Sequence, residues 1–299
     1  MNDEATKEQA QKDYYALIKK SKAVLNGDLE TDDTQKSELA KTKNTYDKFL
    51  RFWAETISKR SLHIVNKQVN IFTTNFDQFI EDACERLNIP YNDGFTGQIK
   101  PVFSVANFNK IQKYKSLQFD NTSDIPLFNV IKLHGSVSWA VEDGKIVYSN
   151  GSHIADDLDG KSGTDFSAGY DKVAVINPNA EKHFETVLDT NYASMLRKFT
   201  LELEKENSVL LVFGFSLDDK HIRNLLYGVM KSNPTLVVIY FSYSKYDETQ
   251  DKLEESKNSN LYIISPESEE KLSFEKGAEY LYSVFSNGKK DDAAHENEQ

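Results

Sequence analysis

The first 68 residues carry the hydrophobic pattern of amphipathic helices. We predict helix from residue 4 to about residue 68, broken at Asn26-Gly27-Asp28, because Asn and Gly suit the left-handed backbone that ends helices. In the second helix the apolar residues lie mostly three or four positions apart and share one face: Tyr46, Phe49, Leu50, Trp53, Ile57 and Leu62. Residues 1–68 are therefore predicted to be a helical segment that packs on the rest of the chain.

From residue 69 the pattern changes to short apolar strands that alternate with helices. Strands are predicted at 69–73, 129–134, 173–177, 208–213, 235–241 and 260–264. Helices are predicted at about 76–88, 180–206, 218–231, 247–257 and 267–286. The strands at 208–213 and 235–241 are apolar on both faces, which is typical of parallel strands covered by helices on both sides. We therefore predict an α/β fold with a doubly wound, mostly parallel, Rossmann-like sheet over residues 69–287.

Four segments depart from this alternation. A hairpin is predicted at 137–149, turning at Asp143-Gly144, because Asp-Gly supplies the positive φ angles of such turns. Residues 89–128 have mixed polarity and many aromatic residues, and we interpret them as an insertion that forms a lid over one end of the sheet. Residues 151–172 are rich in Gly, Asp and Ser and are predicted to be a mobile loop. The charged tail, 288–299, is predicted to be disordered.

Composition narrows the class of protein. Of the 299 residues, 28% are charged and 39% hydrophobic, which predicts a globular chain. The net charge of −11 argues against direct binding to nucleic acid or to anionic membranes. Cys84 is the only cysteine, which excludes an intrachain disulfide and any zinc site built on two or more cysteines. Because no apolar run approaches ~18 residues and no hydrophobic signal segment opens the chain, we predict a cytoplasmic protein.

Polar residues follow three of the predicted strands. The stretches are Thr73-Thr74-Asn75-Phe76-Asp77, Ile131-Lys132-Leu133-His134-Gly135 and Gly214-Phe215-Ser216-Leu217-Asp218. Open α/β sheets bind ligands in the crevice beyond the carboxyl ends of their strands. Together the three stretches indicate an enzyme that consumes a nucleotide.

The residue types at these strand ends suit cleavage of the glycosidic bond between nicotinamide and ribose. That reaction needs groups that hold the ribose hydroxyls and a base that takes a proton from the incoming nucleophile. Asn75 can both donate and accept hydrogen bonds to hydroxyls or to a water molecule. A neutral His134 can accept a proton near neutral pH. Gly135 would let the backbone approach the sugar closely.

These stretches carry a resemblance to a known family. TTNFD resembles the Gln-Asn-Ile-Asp element of sirtuins, KLHGSVSW resembles their His-Gly element, and GFSLDD resembles the Gly-x-Ser element that touches the adenosine ribose. In this order they are more specifically similar to bacterial sirtuin-like NAD hydrolases of antiphage defence. The resemblance covers roughly residues 65 to 286. Four residues also lie where such proteins carry a Pro…Lys…Tyr stretch: Asn177, Pro178, Lys182 and Tyr192.

The resemblance implies a function and a site. The function is hydrolysis of NAD+ to nicotinamide and ADP-ribose without a metal, in prokaryotic defence, with self-assembly or a companion ATPase or Argonaute protein as possible requirements. Asn75 matches the residue that positions water and the nicotinamide ribose, and His134 matches the general base. Asp77 matches the acidic group near the carboxamide, and Thr74 replaces the family's Gln. The implied NAD-binding residues are Thr73, Thr74, Asp77, Gly135, Gly214, Ser216 and Leu217.

The sequence departs from the family pattern in two places. Deacylating sirtuins usually carry a four-cysteine zinc module, which a single cysteine excludes, and this favours NAD hydrolysis over protein deacylation. The family also opens with a strand and a Gly-Ala-Gly-x-Ser loop that holds the pyrophosphate, and no such loop precedes Asn75. We expect from this either a chain truncated at an internal Met, which we favour, or a protein that has lost tight NAD binding.

Structural alternatives exist for each stretch. Asn75 and Asp77 would also cap a helix that starts at residue 76 or 77, and His134 would also suit a loop. Gly214 would also suit a plain strand-to-helix turn, with Ser216 or Asp218 as the N-cap. At the level of function, the alternatives are a binding or scaffold module of the same fold and an NAD-dependent protein deacylase.

Overall fold

The protein was analysed as a computed structural model. It describes residues 2–26, 32–59, 67–118, 120, 122–149, 158, 160–170, 172–175, 187–245, 249, 253, 258–267 and 270–295. By internal contacts the chain divides into two compact units, Met1–Met195 and Leu196–Gln299. The division of the chain at residue 68 that the sequence suggests stays a prediction.

Two helices open the first unit, as predicted. They are Asn2–Asn26 (α1) and Asp33–Ser58 (α2). The N-cap of α2 is Asp32, whose carboxylate accepts a hydrogen bond from the backbone N–H of Gln35 at 2.7 Å. A third helix, Phe79–Arg86 (α3), lies within the predicted range of 76–88. Helix α2 packs against α3, and together they cover one face of the first sheet.

The first sheet is parallel and has three strands. Gln68–Thr73 (β1), Leu127–Lys132 (β7) and Tyr91–Asn92 (β2) lie in the order β1-β7-β2. Phe128 and Val130 of β7 point into the core under α2 and α3, where Leu50 and Ile57 are also buried. These contacts bury the apolar face of α2 that the sequence predicts.

Three asparagines form a hydrogen-bonded row across the same sheet. Asn129 pairs in register with Asn70 on one side and with Asn92 on the other. Its Nδ2 donates to Oδ1 of Asn70 at 2.7 Å, and Asn92 Nδ2 donates to its Oδ1 at 3.1 Å. Because buried amides are costly unless they are paired, this row favours a single register of the three strands.

The predicted hairpin is confirmed and is the centre of a second, antiparallel sheet. Gly135–Glu142 (β8) and Lys145–Tyr148 (β9) are joined at Asp143-Gly144, with φ angles of 48° and 71°. The sheet has the order β10-β8-β9-β4-β3. Its remaining strands are Phe95–Thr96 (β3), Val102–Phe103 (β4) and Val173–Val175 (β10). The sequence predicts a strand at 173–177 but not that it runs antiparallel to β8.

The insertion at 89–128 contributes strands to both sheets. It supplies β2, β3 and β4 and continues through a 3₁₀ helix at Val105–Asn109. A two-stranded ribbon, Lys113–Lys115 (β5) and Thr122–Asp124 (β6), completes it. Many of its aromatic residues are core residues: Phe103 lies 4.5 Å from Trp139, measured between ring centroids. Its role as a lid stays a prediction.

The prediction of a mobile loop at 151–172 is wrong for the second half of that range. Residues Gly163–Tyr170 form a helix (α4). Phe166 and Tyr170 are buried there together with Tyr15 of α1, and the rings of Tyr15 and Phe166 meet edge to face at 5.8 Å. Two aromatic residues four positions apart give this short segment an apolar helix face, which outweighs its content of Gly and Ser.

The second unit contains a three-stranded parallel sheet, in the order β11-β12-β13. The strands are Val209–Phe213 (β11), Val237–Phe241 (β12) and Leu261–Ile264 (β13), close to the predicted bounds. Helix Lys220–Ser232 (α6) connects the first two strands. Parallel strands joined through helices in this way confirm the predicted α/β class.

Two further helices complete the description. Helix Val187–Leu203 (α5) contains the boundary between the units, and Phe274–His295 (α7) closes the described chain. The sequence predicts that the last helix ends at 286 and that 288–299 is disordered, whereas α7 is helical up to His295. Most of the helix predicted at 247–257 lies outside the described residues.

Candidate functional site

Strands β1 and β7 end side by side. Thr73, the last residue of β1, pairs with Lys132, the last residue of β7, and the Thr73 carbonyl accepts a hydrogen bond from Leu133 N–H at 2.8 Å. Asn75 and His134 each follow this pair by two residues. The structure therefore brings the first two predicted motifs to the same end of one parallel sheet, which is the end where such sheets bind ligands.

The segment after β1 is held by short-range hydrogen bonds. Asn75 donates its backbone N–H to the Thr73 hydroxyl at 3.0 Å, and Thr74 between them is half-buried. Asp77 Oδ1 accepts from Phe79 N–H at 3.0 Å, at the first turn of α3. The N-cap of α3 is Gln78, so neither Asn75 nor Asp77 is the N-cap, and the helix begins at Phe79 rather than at 76 or 77. Asn75 is exposed.

Tyr46 on α2 packs against the start of α3, next to the Asn75–Asp77 segment, which the sequence does not reveal. The Tyr46 ring stacks on Phe79, the first residue of α3, with centroids 5.8 Å apart and an interplanar angle of 8°. Burial, followed by the charges of Asp77 and Glu81, raises the pKa of the Tyr46 hydroxyl to about 12. From its spacing, Tyr46 is simply one residue of the apolar face of α2.

His134 occupies the tight turn between β7 and β8. Its side chain is 9% exposed, so the imidazole is mostly enclosed. Its ring centroid lies 6.1 Å from that of Tyr192 on α5, with an interplanar angle of 53°. Tyr192 is the only one of the four residues predicted for the intervening stretch that the structure describes, since Asn177, Pro178 and Lys182 lie outside the described residues.

Gly135 has a structural reason to be glycine. Its φ is +80°, and a Cβ atom there would lie 2.0 Å from the carbonyl oxygen of Ala174 on β10. The next strand is also tied to the Asn75 segment, because Val137 N–H donates to the Phe76 carbonyl at 3.0 Å. Close approach of Gly135 to a sugar stays a prediction, whereas its close approach to β10 is observed.

A buried ion pair lies beneath the two motifs. Lys132 is 2% exposed, and its Nζ lies 3.1 Å from Oε1 of Glu81 on α3. The same ammonium group donates to the carbonyl of Asp77. Burial raises the pKa of Glu81, while Lys132 opposes that shift. Lys132 thus connects the end of β7, the Asn75–Asp77 segment and α3.

One carboxylate oxygen of Glu81 takes no part in that ion pair. Oε2 of Glu81 is buried and has no hydrogen-bond partner among the described residues. Removing one member of such a pair leaves an uncompensated charge, which costs about 3–5 kcal/mol in proteins. Loss of either member alone is therefore expected to destabilise the fold.

The third motif lies at the carboxyl end of β11, in the second unit. Gly214 and Leu217 have φ angles of +60° and +58°, and Ser216 is exposed. Leu217 is fully buried, and its carbonyl accepts a hydrogen bond from Nη1 of Arg223 at 2.9 Å. The N-cap of α6 is Asp219, which accepts from the backbone N–H groups of residues 221 and 222 at 2.9 and 3.2 Å. The expectation that Ser216 or Asp218 caps this helix is therefore wrong.

Other kinds of site were also considered. Within the described ranges, no three His, Cys, Asp or Glu side chains are grouped so that they could hold a metal ion. Nor does that part of the chain contain a helix long and apolar enough to cross a membrane. A cavity of about 440 Å³ opens at the ends of α2 and α3 but contains none of the predicted site residues. It is lined by Arg51, Ala54, Glu55, Ser58, Lys59, Arg86, Leu87 and Ile89.

Comparison with known proteins identifies a family. A family model described as a SIR2-like domain matches residues 69–264, which is more than half of the chain. The matched range contains all three motifs, from β1 to β13. A search of curated proteins finds no similar protein.

Proposed function

The chain belongs to the SIR2-like domain family, and from this premise we propose that it is an NAD+ hydrolase. The proposed reaction converts NAD+ and water to nicotinamide, ADP-ribose and a proton. One observation carries the proposal: the segments with Asn75 and His134 leave neighbouring parallel strands at the same end of the sheet. An amide and an imidazole at that place are the groups that hydrolysis of a nucleoside bond requires.

The two residues have complementary roles in this proposal. As the bond between nicotinamide and C1′ of the ribose breaks, the nicotinamide nitrogen keeps the electron pair. The oxygen of a water molecule bonds to C1′, and His134 accepts the proton that this water loses. Asn75 holds that water and a ribose hydroxyl through its amide. Its exposure makes it accessible, and the enclosure of His134 keeps bulk water from its ring.

The donor set around this pair fits the nicotinamide half of NAD+. We propose that Thr73, Thr74, Asp77 and Gly135 line that half of the site, with the Asp77 carboxylate facing the carboxamide. The assignment of Gly214, Ser216 and Leu217 to the adenosine half stays a prediction from the motif order, and Leu217 itself is fully buried. These assignments rest on the motif order within the matched family range.

Hydrolysis is preferred to protein deacylation for a chemical reason. A four-cysteine zinc module cannot form around the single cysteine of this chain. That cysteine, Cys84, is buried in α3, and burial followed by the charges of Glu81 and Glu85 raises the pKa of its thiol to about 12. It is therefore a core residue. The proposed biological setting is prokaryotic antiphage defence.

Product analysis tests this proposal. The protein, incubated with NAD+ alone, should release nicotinamide and ADP-ribose in equal amounts, measured by liquid chromatography, and an acetylated peptide should leave the rate unchanged. Release that needs the peptide and yields acetyl-ADP-ribose would show a deacylase instead. A folded protein that binds NAD+ in calorimetry without releasing nicotinamide would show a binding module.

A further inference from the structure

The ammonium group of Lys132 ties the Asn75 segment to the strand that leads to His134. Lys132 is the last residue of β7 and precedes His134 by two positions. Its Nζ donates a hydrogen bond to the carbonyl of Asp77, which follows Asn75 by two positions. This hydrogen bond therefore joins the two backbone segments that carry the proposed catalytic residues.

A second contact holds the same segment from the other side of His134. The Phe76 carbonyl accepts hydrogen bonds from Val137 N–H at 3.0 Å and from the Ser136 hydroxyl at 3.4 Å. Both donors belong to β8, which begins directly after His134. The carbonyl groups of the two residues after Asn75 are thus held by donors that flank His134 in the chain.

Lys132 differs from the donors of β8 because it brings a charge into the core. Its side chain is 2% exposed, and its Nζ lies 3.1 Å from Oε1 of Glu81, which is 7% exposed. A buried ion pair often stabilises a fold no better than two apolar side chains of the same volume. Stability alone therefore does not account for a lysine at this place, whereas binding of the Asp77 carbonyl requires a donor.

We propose that Lys132 is a positioning residue of the NAD+ site, which fixes the Asn75 segment relative to His134 through the Asp77 carbonyl. Glu81 is the counter-ion that holds the ammonium group. The distance between two catalytic groups matters because a displacement of about 1 Å can lower a rate by about 100-fold. This inference rests on the proposed function and adds to it a residue that the proposed reaction does not otherwise use.

The double variant Lys132→Met/Glu81→Leu replaces the ion pair by apolar side chains of similar size. Its melting temperature should stay within about 5 °C of that of the unaltered protein, because no unpaired charge is left in the core. The Asp77 carbonyl, however, loses its donor. We therefore expect kcat for nicotinamide release to fall roughly tenfold or more, with a change in KM of less than about threefold.

Glu81→Gln has the opposite effect on the two measurements. It removes the counter-ion and should lower the melting temperature by roughly 10 °C. Its kcat, measured where the variant is folded, should change less than about twofold, because the lysine amine still donates to the Asp77 carbonyl. A purely structural ion pair predicts instead that kcat follows stability in both variants. A loss of kcat in folded Glu81→Gln as large as that expected of the double variant would overturn the proposal, whether or not the double variant folds.

Lys198→Met is the matched control for the loss of a buried ammonium group. Lys198 also pairs with a glutamate, since its Nζ lies 2.7 Å from Oε1 of Glu202, and both side chains are mostly buried. It belongs to the second compact unit, whereas Asp77 and His134 belong to the first. We expect a lower melting temperature and an unchanged kcat. A loss of kcat equal to that of Lys132→Met/Glu81→Leu would contradict a specific role of Lys132.

Hydrogen exchange tests the contact without turnover. The amides of Asn75 and Phe79 donate to the side chains of Thr73 and Asp77, so their exchange reports on the conformation of the segment. Mass spectrometry of peptides that cover residues 74–79 should show faster exchange in Lys132→Met/Glu81→Leu and unchanged exchange in Lys198→Met. Unchanged exchange in the double variant would disprove the positioning role. Faster exchange, combined with an unaltered protein that releases no nicotinamide, would support the contact and refute only the hydrolase proposal.

Discussion

Single residues in this protein serve the fold and the proposed site at the same time. Gly135 lies in a positive-φ conformation against the carbonyl of Ala174, and Asp77 binds the first turn of α3. Both roles follow from the backbone geometry at these two positions. The adjacency of the Asn75 and His134 segments could be predicted from sequence, because parallel strands end at a common edge. The residue types at the strand ends could be read from the sequence as well. The packing of Tyr46 against Phe79 could not, since nothing in the local pattern of α2 separates this tyrosine from the other residues of the apolar face.

Substitution of Gly135 tests the close approach of β10. Gly135→Ala should destabilise the protein by about 1–3 kcal/mol for the positive φ and by a comparable amount for overpacking. Gly160→Ala is the control, because Gly160 has φ +79° with nothing within 4 Å of its added Cβ, and it isolates the backbone contribution. Urea unfolding should show the larger loss at Gly135. Equal losses would contradict the contact with Ala174.

Elements were predictable where their own pattern was strong. The apolar strands β11 and β12 and the Asp-Gly hairpin match the sequence because their residues favour one backbone conformation. Strand β10 has three residues, and its antiparallel pairing with β8 depends on a partner distant in the chain. The start of α3 at Phe79 likewise depends on Asp77 binding the backbone two residues on. Pairing and boundaries of this kind are tertiary properties.

A cluster of charged side chains at the end of helix α5 predicts that the stability of the fold depends on pH. Burial alone would raise the pKa of Glu202, but hydrogen bonds from Lys198, at 2.7 Å, and from Lys205 lower it below the ordinary value of 4.5. A lowered pKa in the folded state means that the charged Glu202 stabilises the fold above pH 4.5 and that this contribution is lost as the pH falls through the lowered pKa.

Glu202→Gln should therefore cost about 1–2 kcal/mol at pH 7 and much less near pH 3. The exposed Glu204→Gln serves as the control and should have little effect at either pH. Thermal unfolding between pH 3 and pH 7 compares the stability of the two variants with that of the unaltered protein. A deficit of Glu202→Gln that stays constant down to pH 3 would rule out the assigned ion pairs.

At the scale of the whole molecule, one family model spans both of the compact units into which internal contacts divide the chain. The SIR2-like range, 69–264, runs through both compact units, with two motifs in the first and one in the second. The fold class could be predicted because strand and helix patterns alternate over much of that range, most clearly from residue 208 onward. The exact reaction could not, because hydrolysis and deacylation use the same dinucleotide and differ in what reaches the ribose.

The central claim is that Asn75 and His134 act in one catalytic site, and the rate of nicotinamide release by three purified variants tests it most directly. His134→Ala and Asn75→Ala should each lower kcat by roughly 100-fold or more, while the control His221→Ala, at an exposed histidine of α6, should match the unaltered protein. NAD+ should still raise the melting temperature of His134→Ala, because binding does not require the proton acceptor. Nicotinamide release that persists in both His134→Ala and Asn75→Ala would contradict the account.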